Sequence, residues 1–491
     1  NLQELWLYEN ELSTLPTAVF SNLTQLQLLV LSKNRLRSVA PGAFQGLGEL
    51  LELSLHSNAL RRLDARALEG LPKLQNISLH HNQLQALPRG LFGATPGLRH
   101  LQLHSNALEY LPAGIFSPLT ALREALDLSQ NALAELPDGL LAPLVALHVL
   151  KLSDNLLARV PPGAFRALGQ LAELHLDGNR LEELPAGIFA GLGGLRRLQL
   201  QHNALGSLAP DIFTGLLNLT VLSLEGNHLA TLPATLFTGT PGLLHLSLAR
   251  NQLEILPQEL FANLSVLETL VLSHNAMDHL PAAVFQGLAG LTELQLSHNN
   301  LSSLPVGLLA GLPLLTALVL DHNRLARLPP GLFDANDELV RVGLSDNPWV
   351  CDCRLSYLLR WLQSFAEPLI HGQAFCANPT ALQGQPLLEV PRGQLECPGA
   401  GGVPPEEGWD TDAAGQCTYT DPEGTVSMAC NATTCQQLSL RLPPPGQEQG
   451  LGTAYRGAWV LRSRCGTLQV SVLVTAQSSN EATSPGLPTA P

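Results

Sequence analysis

Residues 243–266 read LLHLSLARNQLEILPQELFANLSV, and this stretch contains the pattern on which the whole architecture depends. The pattern is L-x-x-L-x-L-x-x-N-x-L-x-x-L-P-x-x-x-F-x-x-L-x-x, and it recurs along the first 347 residues. Its asparagines are 24 residues apart in thirteen of fourteen intervals, and the exception is 25, where residues 122–126 hold one extra residue. Repetition at a fixed period of this length predicts a solenoid whose coils bury their apolar faces against their neighbours.

The Leu-x-Leu segment of each repeat alternates apolar and polar residues, as a short strand with one buried face does. Strands of successive coils are expected to form a parallel sheet, about 70 Å along its arc for strands about 4.8 Å apart. The asparagine follows each strand, where its amide can pair with backbone groups that the turn would leave unpaired. The asparagines expected to form this ladder are Asn10, Asn34, Asn58, Asn82, Asn106, Asn131, Asn155, Asn179, Asn203, Asn227, Asn251, Asn275, Asn299, Asn323 and Asn347.

A large apolar residue stands ten positions after each of the first fourteen asparagines. This periodicity predicts a second buried row on the convex side of the coils, and it makes an aromatic ligand site an unnecessary interpretation of the phenylalanines. The residues of the row are Phe20, Phe44, Leu68, Phe92, Phe116, Leu141, Phe165, Phe189, Phe213, Phe237, Phe261, Phe285, Leu309 and Phe333.

The last repeat runs into NPWVCDCRL at residues 347–355, and Cys376 and Cys397 follow. This arrangement resembles the cysteine-flanked C-terminal cap of extracellular leucine-rich repeats. The resemblance implies an α/β solenoid, a leucine-rich-repeat horseshoe with a parallel β-sheet on its concave face, and a cap over residues 348–397. It also implies the disulfides Cys351–Cys376 and Cys353–Cys397.

A cap at this end also has a physical reason. The core residues Val342 and Leu344 of the last coil would otherwise face water, and a short amphipathic helix carrying Leu355, Leu358 and Leu362 could cover them. The matching N-terminal cysteine cap is absent and the chain opens inside a repeat, so we expect that a segment is missing before Asn1.

The cysteines of the second half define a further module. After the repeats (1–347) and the cap, residues 398–416 are rich in Gly, Pro and acidic residues and are interpreted as a linker. Short β-prone runs between 417 and 476 predict a small β unit stapled by two disulfides. Three pairings of its four cysteines remain open, and residues 477–491 are expected to be a disordered tail. The four cysteines are Cys417, Cys430, Cys435 and Cys465.

The protein is predicted to be secreted. All eight cysteines lie after residue 350, and such clustering favours disulfides formed in an oxidising compartment. Six N-x-Ser/Thr sequons without an intervening proline agree with this compartment. The asparagines expected to carry glycans are Asn22, Asn76, Asn218, Asn263, Asn300 and Asn431.

The balance of charges restricts the classes of macromolecule that the protein is expected to bind. Lys and Arg total 27 against 41 for Asp and Glu, a formal net charge of −14. This balance argues against nucleic acid or an anionic membrane as the main partner, because both reward a basic surface. No run of 18 or more apolar residues lacks charges and turn formers, so we predict no membrane span.

Residues 417–426, CTYTDPEGTV, followed by Cys430, Cys435 and WVLRSRCG at 459–466, form the most distinctive motif of the second half. The motif resembles the C-terminal module of the carboxypeptidase N regulatory-subunit family, and residues 334–336 ahead of the cap are similar too; this resemblance covers essentially the whole chain. It implies a glycosylated, non-catalytic protein of blood plasma. Such a protein binds the catalytic subunit of carboxypeptidase N, a zinc carboxypeptidase, in a heterotetramer, stabilises it and keeps it in circulation.

Two other interpretations of the repeats stay open, a fragment of a receptor ectodomain and a free-standing innate-immune or matrix binder. The sequence predicts no catalytic residues, no metal site and no cofactor, since neither His-x-x-Glu nor His-Glu-x-x-His occurs. The partner-binding surface is not identified, although the concave positions mix signs, as a surface that sets specificity does. These positions include Glu4, Glu52, Glu173 and Glu293 against Lys151, Arg197 and Arg341.

Two rows of histidines recur at the repeat period. His56, His80 and His104 precede the ladder asparagine by two positions and are expected to stack on the concave face, whereas a second row precedes it by one. Such rows could form a metal site or a pH-sensitive contact. Copying of a tolerated solvent-facing residue by repeat duplication is the favoured interpretation. The second row is His274, His298 and His322.

Overall fold

The computed structural model describes residues 1–364, 373–395, 410–411, 416–421, 424–430, 435–441, 454–463 and 466–475. The chain divides into two compact units, Asn1–Leu395 and Glu396–Pro491. The first unit is a parallel β-solenoid of leucine-rich-repeat coils, which confirms the predicted fold class.

Fifteen three-residue strands form one sheet in strict chain order, and every described pair is parallel. Each strand is centred on the first leucine, or its equivalent, of the Leu-x-Leu segment, whose side chain faces the core. The strands are β1 Glu4–Trp6, β2 Leu28–Val30, β3 Glu52–Ser54, β4 Asn76–Ser78, β5 His100–Gln102, β6 Ala125–Asp127, β7 Val149–Lys151, β8 Glu173–His175, β9 Arg197–Gln199, β10 Val221–Ser223, β11 His245–Ser247, β12 Thr269–Val271, β13 Glu293–Gln295, β14 Ala317–Val319 and β15 Arg341–Gly343.

The ladder asparagines hold each coil to the one before it. Asn203 is buried, and its Nδ2 donates to the carbonyls of Leu200 and Leu176 at 3.1 and 3.0 Å, the second of which belongs to the preceding coil. Its Oδ1 accepts from the N–H of Leu181, also in the preceding coil, at 3.1 Å. The same set of bonds recurs from Asn34 to Asn347, so these amides pair backbone groups that the turn would otherwise bury unpaired.

The residue before every ladder asparagine adopts the left-handed conformation, with φ between 53° and 67°. Glycine occupies this position at Gly178 and Gly226, and thirteen non-glycine residues occupy it elsewhere. The backbone N–H there reaches the next coil, as His202 does to Glu225 at 2.8 Å. This bond offsets conformational strain of about 1–2 kcal/mol at each non-glycine residue.

Gly178→Ala is therefore expected to lower the free energy of unfolding by about 1–2 kcal/mol. The alanine would keep a φ of +67°, and its Cβ would collide with the carboxylate of Asp154. The matched control is Gly206→Ala, where a Cβ meets nothing within 4 Å, and the stability should be unchanged or rise by up to about 1 kcal/mol. Urea titration of both variants measures the difference, and equal midpoints would contradict the strain.

The convex side of the coils is built from turns around the phenylalanine row. These turns begin after the proline of the repeat pattern. Every residue of the phenylalanine row beneath them is buried. Neighbouring rings lie parallel, with centroids 6.3 Å apart for Phe213 and Phe237 and 6.1 Å apart for Phe237 and Phe261. This packing confirms that the row belongs to the core.

The C-terminal end of the solenoid is covered by a short helical segment. A 3-10 helix, Cys353–Leu355, leads into α1, Ser356–Gln363, whose Leu358, Leu359 and Leu362 are buried. Val342 and Leu344 of the last coil are fully buried as a result. Two short strands, β16 Trp349–Val350 and β17 Cys376–Asn378, pair in parallel, and the 3-10 helices Leu387–Glu389 and Arg392–Gln394 follow.

Buried polar contacts fix this cap to the last coil. The Tyr357 hydroxyl accepts from the N–H of Phe333 at 2.9 Å and donates to Asp334 at 3.0 Å. The buried Asp352 accepts from Arg327 at 2.6 Å and from the N–H of Arg354 at 3.0 Å. The bonds to Arg327, Phe333 and Asp334 join the cap to the repeats, and the bond from Arg354 orients the Asp352 carboxylate within the cap.

The described residues of the second unit form six strands. They are β18 Asp410–Thr411, β19 Gln416–Asp421, β20 Gly424–Cys430, β21 Cys435–Arg441, β22 Ala454–Ser463 and β23 Gly466–Thr475. The first four form an antiparallel sheet in chain order, and the last two form a separate antiparallel hairpin. β18 falls within the segment predicted as a linker, and the predicted tail lies outside the described residues.

Candidate functional site

The concave sheet, meaning the outward side chains of β1 to β15 and of the residues between each strand and its ladder asparagine, is a continuous surface that runs through every coil. From β2 to β15 the middle residue of each strand is buried, and the first and third belong to the opposite face of the strand. These outward positions carry few charges of either sign, and opposite charges occupy paired positions of neighbouring strands at Glu173 and Arg197. At the β1 end, Trp6 and Tyr8 are about half exposed beside Val30. The surface is thus long, mixed in sign and suited to a macromolecule.

The N-terminal histidine ladder, His56, His80 and His104, stacks on this surface as predicted. The ring centroids are 4.4 Å apart for His56 and His80 and 4.3 Å apart for His80 and His104, and the planes are nearly parallel. His81, which the sequence interpretation did not single out, joins the ladder from the side. Its Nδ1 lies 2.9 Å from Nδ1 of His80, and its ring meets that of His104 edge-on at 5.7 Å.

Burial controls the protonation of this ladder. It lowers the pKa of His80 to about 4, and the neighbouring histidines add to the shift. Burial likewise lowers the pKa of His56 and of His104, although Asp127 opposes the shift at His104. The carboxylate Oδ2 of Asp127 is 3.4 Å from Nδ1 of His104, and that nitrogen has no hydrogen-bond partner among the described residues. The ladder is therefore neutral near pH 7.

The C-terminal histidine ladder, His274, His298 and His322, also stacks, at 4.0 and 4.1 Å between centroids. All three residues adopt the left-handed conformation before their asparagines. Partial burial lowers the pKa of His298, and the charges of His274 and His322 lower it further, whereas Asp321 opposes the shift and Arg250 adds to it. A lowered pKa means that the folded chain resists protonation of His298.

We expect the stability of the protein to fall as the pH drops below about 6.5, the unfolded pKa of histidine, because the unfolded chain binds the proton more readily than folded His298 does. His298→Gln should keep more of its melting temperature on acidification than the parent does. Val145→Ala, at an exposed residue that does not titrate, is the control and should leave the pH profile unchanged. Thermal melts between pH 7.5 and 5 measure this, and identical slopes for parent and His298→Gln would refute it.

The structure places the predicted glycosylation sites on different sides of the coils. Asn22, Asn218 and Asn263 are exposed in or beside the convex turns, and Asn300 is half-buried directly after a ladder asparagine. Asn76 lies in β4 on the concave sheet, between Glu52 and His100 of the neighbouring strands. A glycan at Asn76 would therefore cover part of the sheet near the N-terminal ladder. Asn431 lies outside the described residues.

Cys351 and Cys376 form a disulfide with their Cα atoms 5.6 Å apart, the pair that the resemblance implies. Cys353 is also disulfide-bonded, while Cys397 lies outside the described residues, so its pairing stays a prediction. Of the module cysteines, three fall on strands β19, β20 and β21, and Cys465 lies outside the described residues. Their pairing also remains a prediction.

Several residues of structural importance carry no signal in the repeat pattern. Asn336 is a buried asparagine on the convex side, where its Nδ2 donates to the carbonyls of Leu309 and Leu312. The pair of Arg327 and Asp352 joins residues from the last repeat and the cap. Only the His81–His80 doublet, two histidines in one repeat beside a histidine row, could have pointed to the cluster on the concave sheet.

Comparison with protein families agrees with this geometry. The leucine-rich-repeat model matches in eight overlapping segments, from 24–84 to 289–348, and the leucine-rich-repeat C-terminal domain matches residues 373–398. The chain belongs to the leucine-rich-repeat family. In the part of the chain that the structure describes, no helix has the length and apolar character needed to span a bilayer.

Among individual relatives, the chain is 42% identical over 164 residues to human carboxypeptidase N subunit 2 and 39% identical over 165 residues to the mouse protein. Each match covers 30% of this chain and 30% of the relative. The similarity supports the resemblance inferred from the sequence. Human platelet glycoprotein V is similar over a shorter stretch, 40% over 67 residues, or 13% of this chain and 12% of the relative.

Solved structures share the solenoid. A chain of the Drosophila Toll–Spatzle complex is 28% identical with a TM-score of 0.71, and the match covers 87% of this chain and 57% of that one. A leucine-rich-repeat protein of Leptospira interrogans is 31% identical with a TM-score of 0.65, over 75% of this chain and 95% of that one. The fold therefore supports a protein-binding role.

Proposed function

We propose that this chain is a secreted, non-catalytic subunit that binds and stabilises the catalytic subunit of carboxypeptidase N. The observation that carries the proposal is the 42% identity over 164 residues to human carboxypeptidase N subunit 2. The proposal includes a glycosylated plasma protein in a heterotetramer, in line with the resemblance of the second-half motif. The absence of a His-Glu-x-x-His or His-x-x-Glu motif from the sequence supports a role without catalysis.

The concave sheet is the proposed binding surface. It presents an unbroken row of fifteen strands, which can contact a folded protein over many side chains at once. Its scattered charges, such as Glu173 and Arg197, favour specificity and orientation of a partner over unspecific attraction. The convex turns carry three exposed sequons, Asn22, Asn218 and Asn263, whereas the concave strands carry one, Asn76 in β4, so glycans would leave more of the concave sheet open.

The proposal is tested by the lifetime of the enzyme. The purified catalytic subunit is heated with and without the full chain, and residual hydrolysis of a peptide ending in arginine is measured over time. A ligand present at a hundredfold excess over its Kd, and bound only to the native enzyme, stabilises it by about 2.7 kcal/mol. We expect slower inactivation, unchanged initial turnover and a larger complex on gel filtration. Identical decay curves and no complex would refute the proposal.

Matched charge reversals test the binding surface. Glu173→Lys changes the concave sheet in β8, whereas Glu259→Lys makes the same change at an exposed position of a convex turn. Glu173→Lys is expected to weaken binding of the catalytic subunit, measured by surface plasmon resonance, and Glu259→Lys to leave it unchanged. The reverse ranking would move the interface to the convex side.

A second candidate is an extracellular binder of the receptor type. The match to a chain of the Toll–Spatzle complex over 87% of this chain supports it. The same experiment separates the two candidates, because a receptor-type binder would leave the carboxypeptidase unprotected. Proteins captured from plasma by the full chain would then lack the catalytic subunit.

A further inference from the structure

We propose that His80, His81 and His104 form a binding site for a divalent transition-metal ion such as Zn²⁺ on the concave sheet. Each residue offers a ring nitrogen, and these three atoms lie within 4.8 Å of one another. Among the residues that the structure describes, this is the one group of three or more His, Cys, Asp or Glu side chains that converges in this way. The site departs from the expectation of no metal drawn from the sequence alone.

The spacing of the nitrogens suits one shared ion. Two imidazole nitrogens on a tetrahedral Zn²⁺, with bonds of about 2.0–2.1 Å, are about 3.3 Å apart. Nδ1 of His80 and Nδ1 of His81 are already 2.9 Å apart, with the two ring planes at 78° to each other. Without an ion, one of these nitrogens must hold a proton that it shares with the other. With an ion in that place, both can donate their lone pairs to it, and a modest rotation of the His104 ring brings in the third ligand.

The backbone that carries the three ligands is fixed in place. The N–H of His81 donates to the carbonyl of His104 in the next coil at 3.1 Å. The ladder amides of Asn82 and Asn106 donate to the carbonyls of His80 and His104, each at 3.3 Å. Because these bonds hold two adjacent coils, the site needs no rearrangement of the backbone. The same bonds recur in the other coils, so they hold the backbone of the ligands in place, and the three histidines themselves are what sets this position apart.

The carboxylate of Asp127 lies beside His104, the third proposed ligand. Asp127 Oδ2 lies 3.4 Å from Nδ1 of His104, and the other oxygen of this carboxylate accepts from the N–H of Ser129 at 3.0 Å. A carboxylate beside one nitrogen of an imidazole orients the ring and makes its other nitrogen a better ligand. At this distance no hydrogen bond is formed, since the buried Nδ1 of His104 has no hydrogen-bond partner within the described part of the chain, and a small movement of the ring toward Asp127 would give it one.

The ligand set selects the ion. Three imidazoles suit Zn²⁺, Cu²⁺ or Ni²⁺, whereas Mg²⁺ and Ca²⁺ take oxygen ligands. His81 is exposed, so the fourth position of a tetrahedral ion would face solvent on the concave sheet. Three protein ligands with an open fourth position leave room for water or for a donor from a bound molecule.

The test uses a matched pair of substitutions in the full chain. His81 and His298 both adopt the left-handed conformation, with φ of 53° and 54°, directly before a ladder asparagine. Asparagine tolerates this conformation, so His81→Asn and His298→Asn make the same change with little risk to folding. The first removes a proposed ligand, and the second alters the C-terminal ladder, where no such convergence is found among the described residues.

Chelator-stripped protein is titrated with ZnCl₂ by calorimetry, and with CoCl₂ while the visible absorption of the bound ion is recorded. We expect His81→Asn to weaken the tightest site at least tenfold and to abolish the Co²⁺ spectrum, and His298→Asn to leave both within twofold. Asp127→Asn should weaken binding about tenfold, as loss of an outer carboxylate does. His104→Gln provides a second ligand variant, and circular dichroism confirms that each variant is folded.

The proposal is overturned if the parent chain binds no Zn²⁺ at 100 μM, a concentration on the order of weak adventitious sites. It is equally overturned if the His81 and His298 variants lose affinity to the same extent. Neither outcome bears on the proposed carboxypeptidase partner, which is tested without added metal through the lifetime of the enzyme.

Discussion

Replacing both Cys351 and Cys376 by alanine is expected to lower the free energy of unfolding by about 3.5 kcal/mol, from the loop-closure entropy of a cross-link of this span. The two residues are separated by 25 positions; Cys351 directly follows β16, and Cys376 is the first residue of β17. Without the bond, the cap helix α1 should separate from the last coil more often. Val342 and Leu344, which are fully buried, would then meet water.

The loss of structure is expected to begin in the C-terminal coils before it reaches the rest of the solenoid. Each coil of a solenoid contacts only its neighbours, so loss of the cap at one end unfolds the nearest coils first. Hydrogen exchange should therefore show amides of β14 and β15 losing protection in the variant while those of β7 and β8 keep it. Uniform loss of protection from β1 to β15 would contradict a cap that acts on the last coils.

Asn203→Ala is expected to lower the free energy of unfolding by about 1–3 kcal/mol, because it leaves the buried N–H of Leu181 without a partner. The carbonyls of Leu176 and Leu200 would lose one of their two donors and keep the other, Asn179 and Asn227 respectively. Asn10→Ala is the matched control within the ladder. Asn10 is exposed, and the hydrogen bonds of its side chain run to the carbonyls of Leu7 and Tyr8 in its own coil.

Equilibrium unfolding in urea measures both variants. Asn10→Ala should cost well under 1 kcal/mol, because its partners stay hydrated when the amide is gone. A loss at Asn10 equal to that at Asn203 would show that the amide acts through its own coil alone. The cross-coil bonds would then contribute nothing measurable.

The solenoid could be predicted from the sequence because residues one repeat period apart are also the residues that pair in neighbouring strands. Val221 pairs with His245, and Leu222 with Leu246, each 24 positions on. The inserted residue in 122–126 leaves the ladder intact, since Asn131 still accepts from the N–H of Leu108 at 3.0 Å. A repeat pattern thus specifies the neighbours of every strand before any coordinate is known.

The histidine cluster could be predicted only in part. The period places His80 above His104, and the structure confirms their stacking. The direction of His81 depends on the left-handed backbone before the ladder asparagine, a conformation that carries no mark in the sequence when thirteen non-glycine residues adopt it. The ion pair between Arg327 and Asp352 could not be predicted from the sequence either, because it joins the repeats to a cap that does not share their periodicity.

The ladder gives the stack of coils a polarity. Every cross-coil bond of an asparagine side chain runs toward the N-terminal neighbour, as Asn347 serves the carbonyl of Leu320 and the N–H of Leu325. Removing a coil from the C-terminal end would strip partners from the coil that remains. Removing one from the N-terminal end would leave an amide with spare donors that water can satisfy. Shortening the stack therefore has different consequences for the asparagine side chains at its two ends.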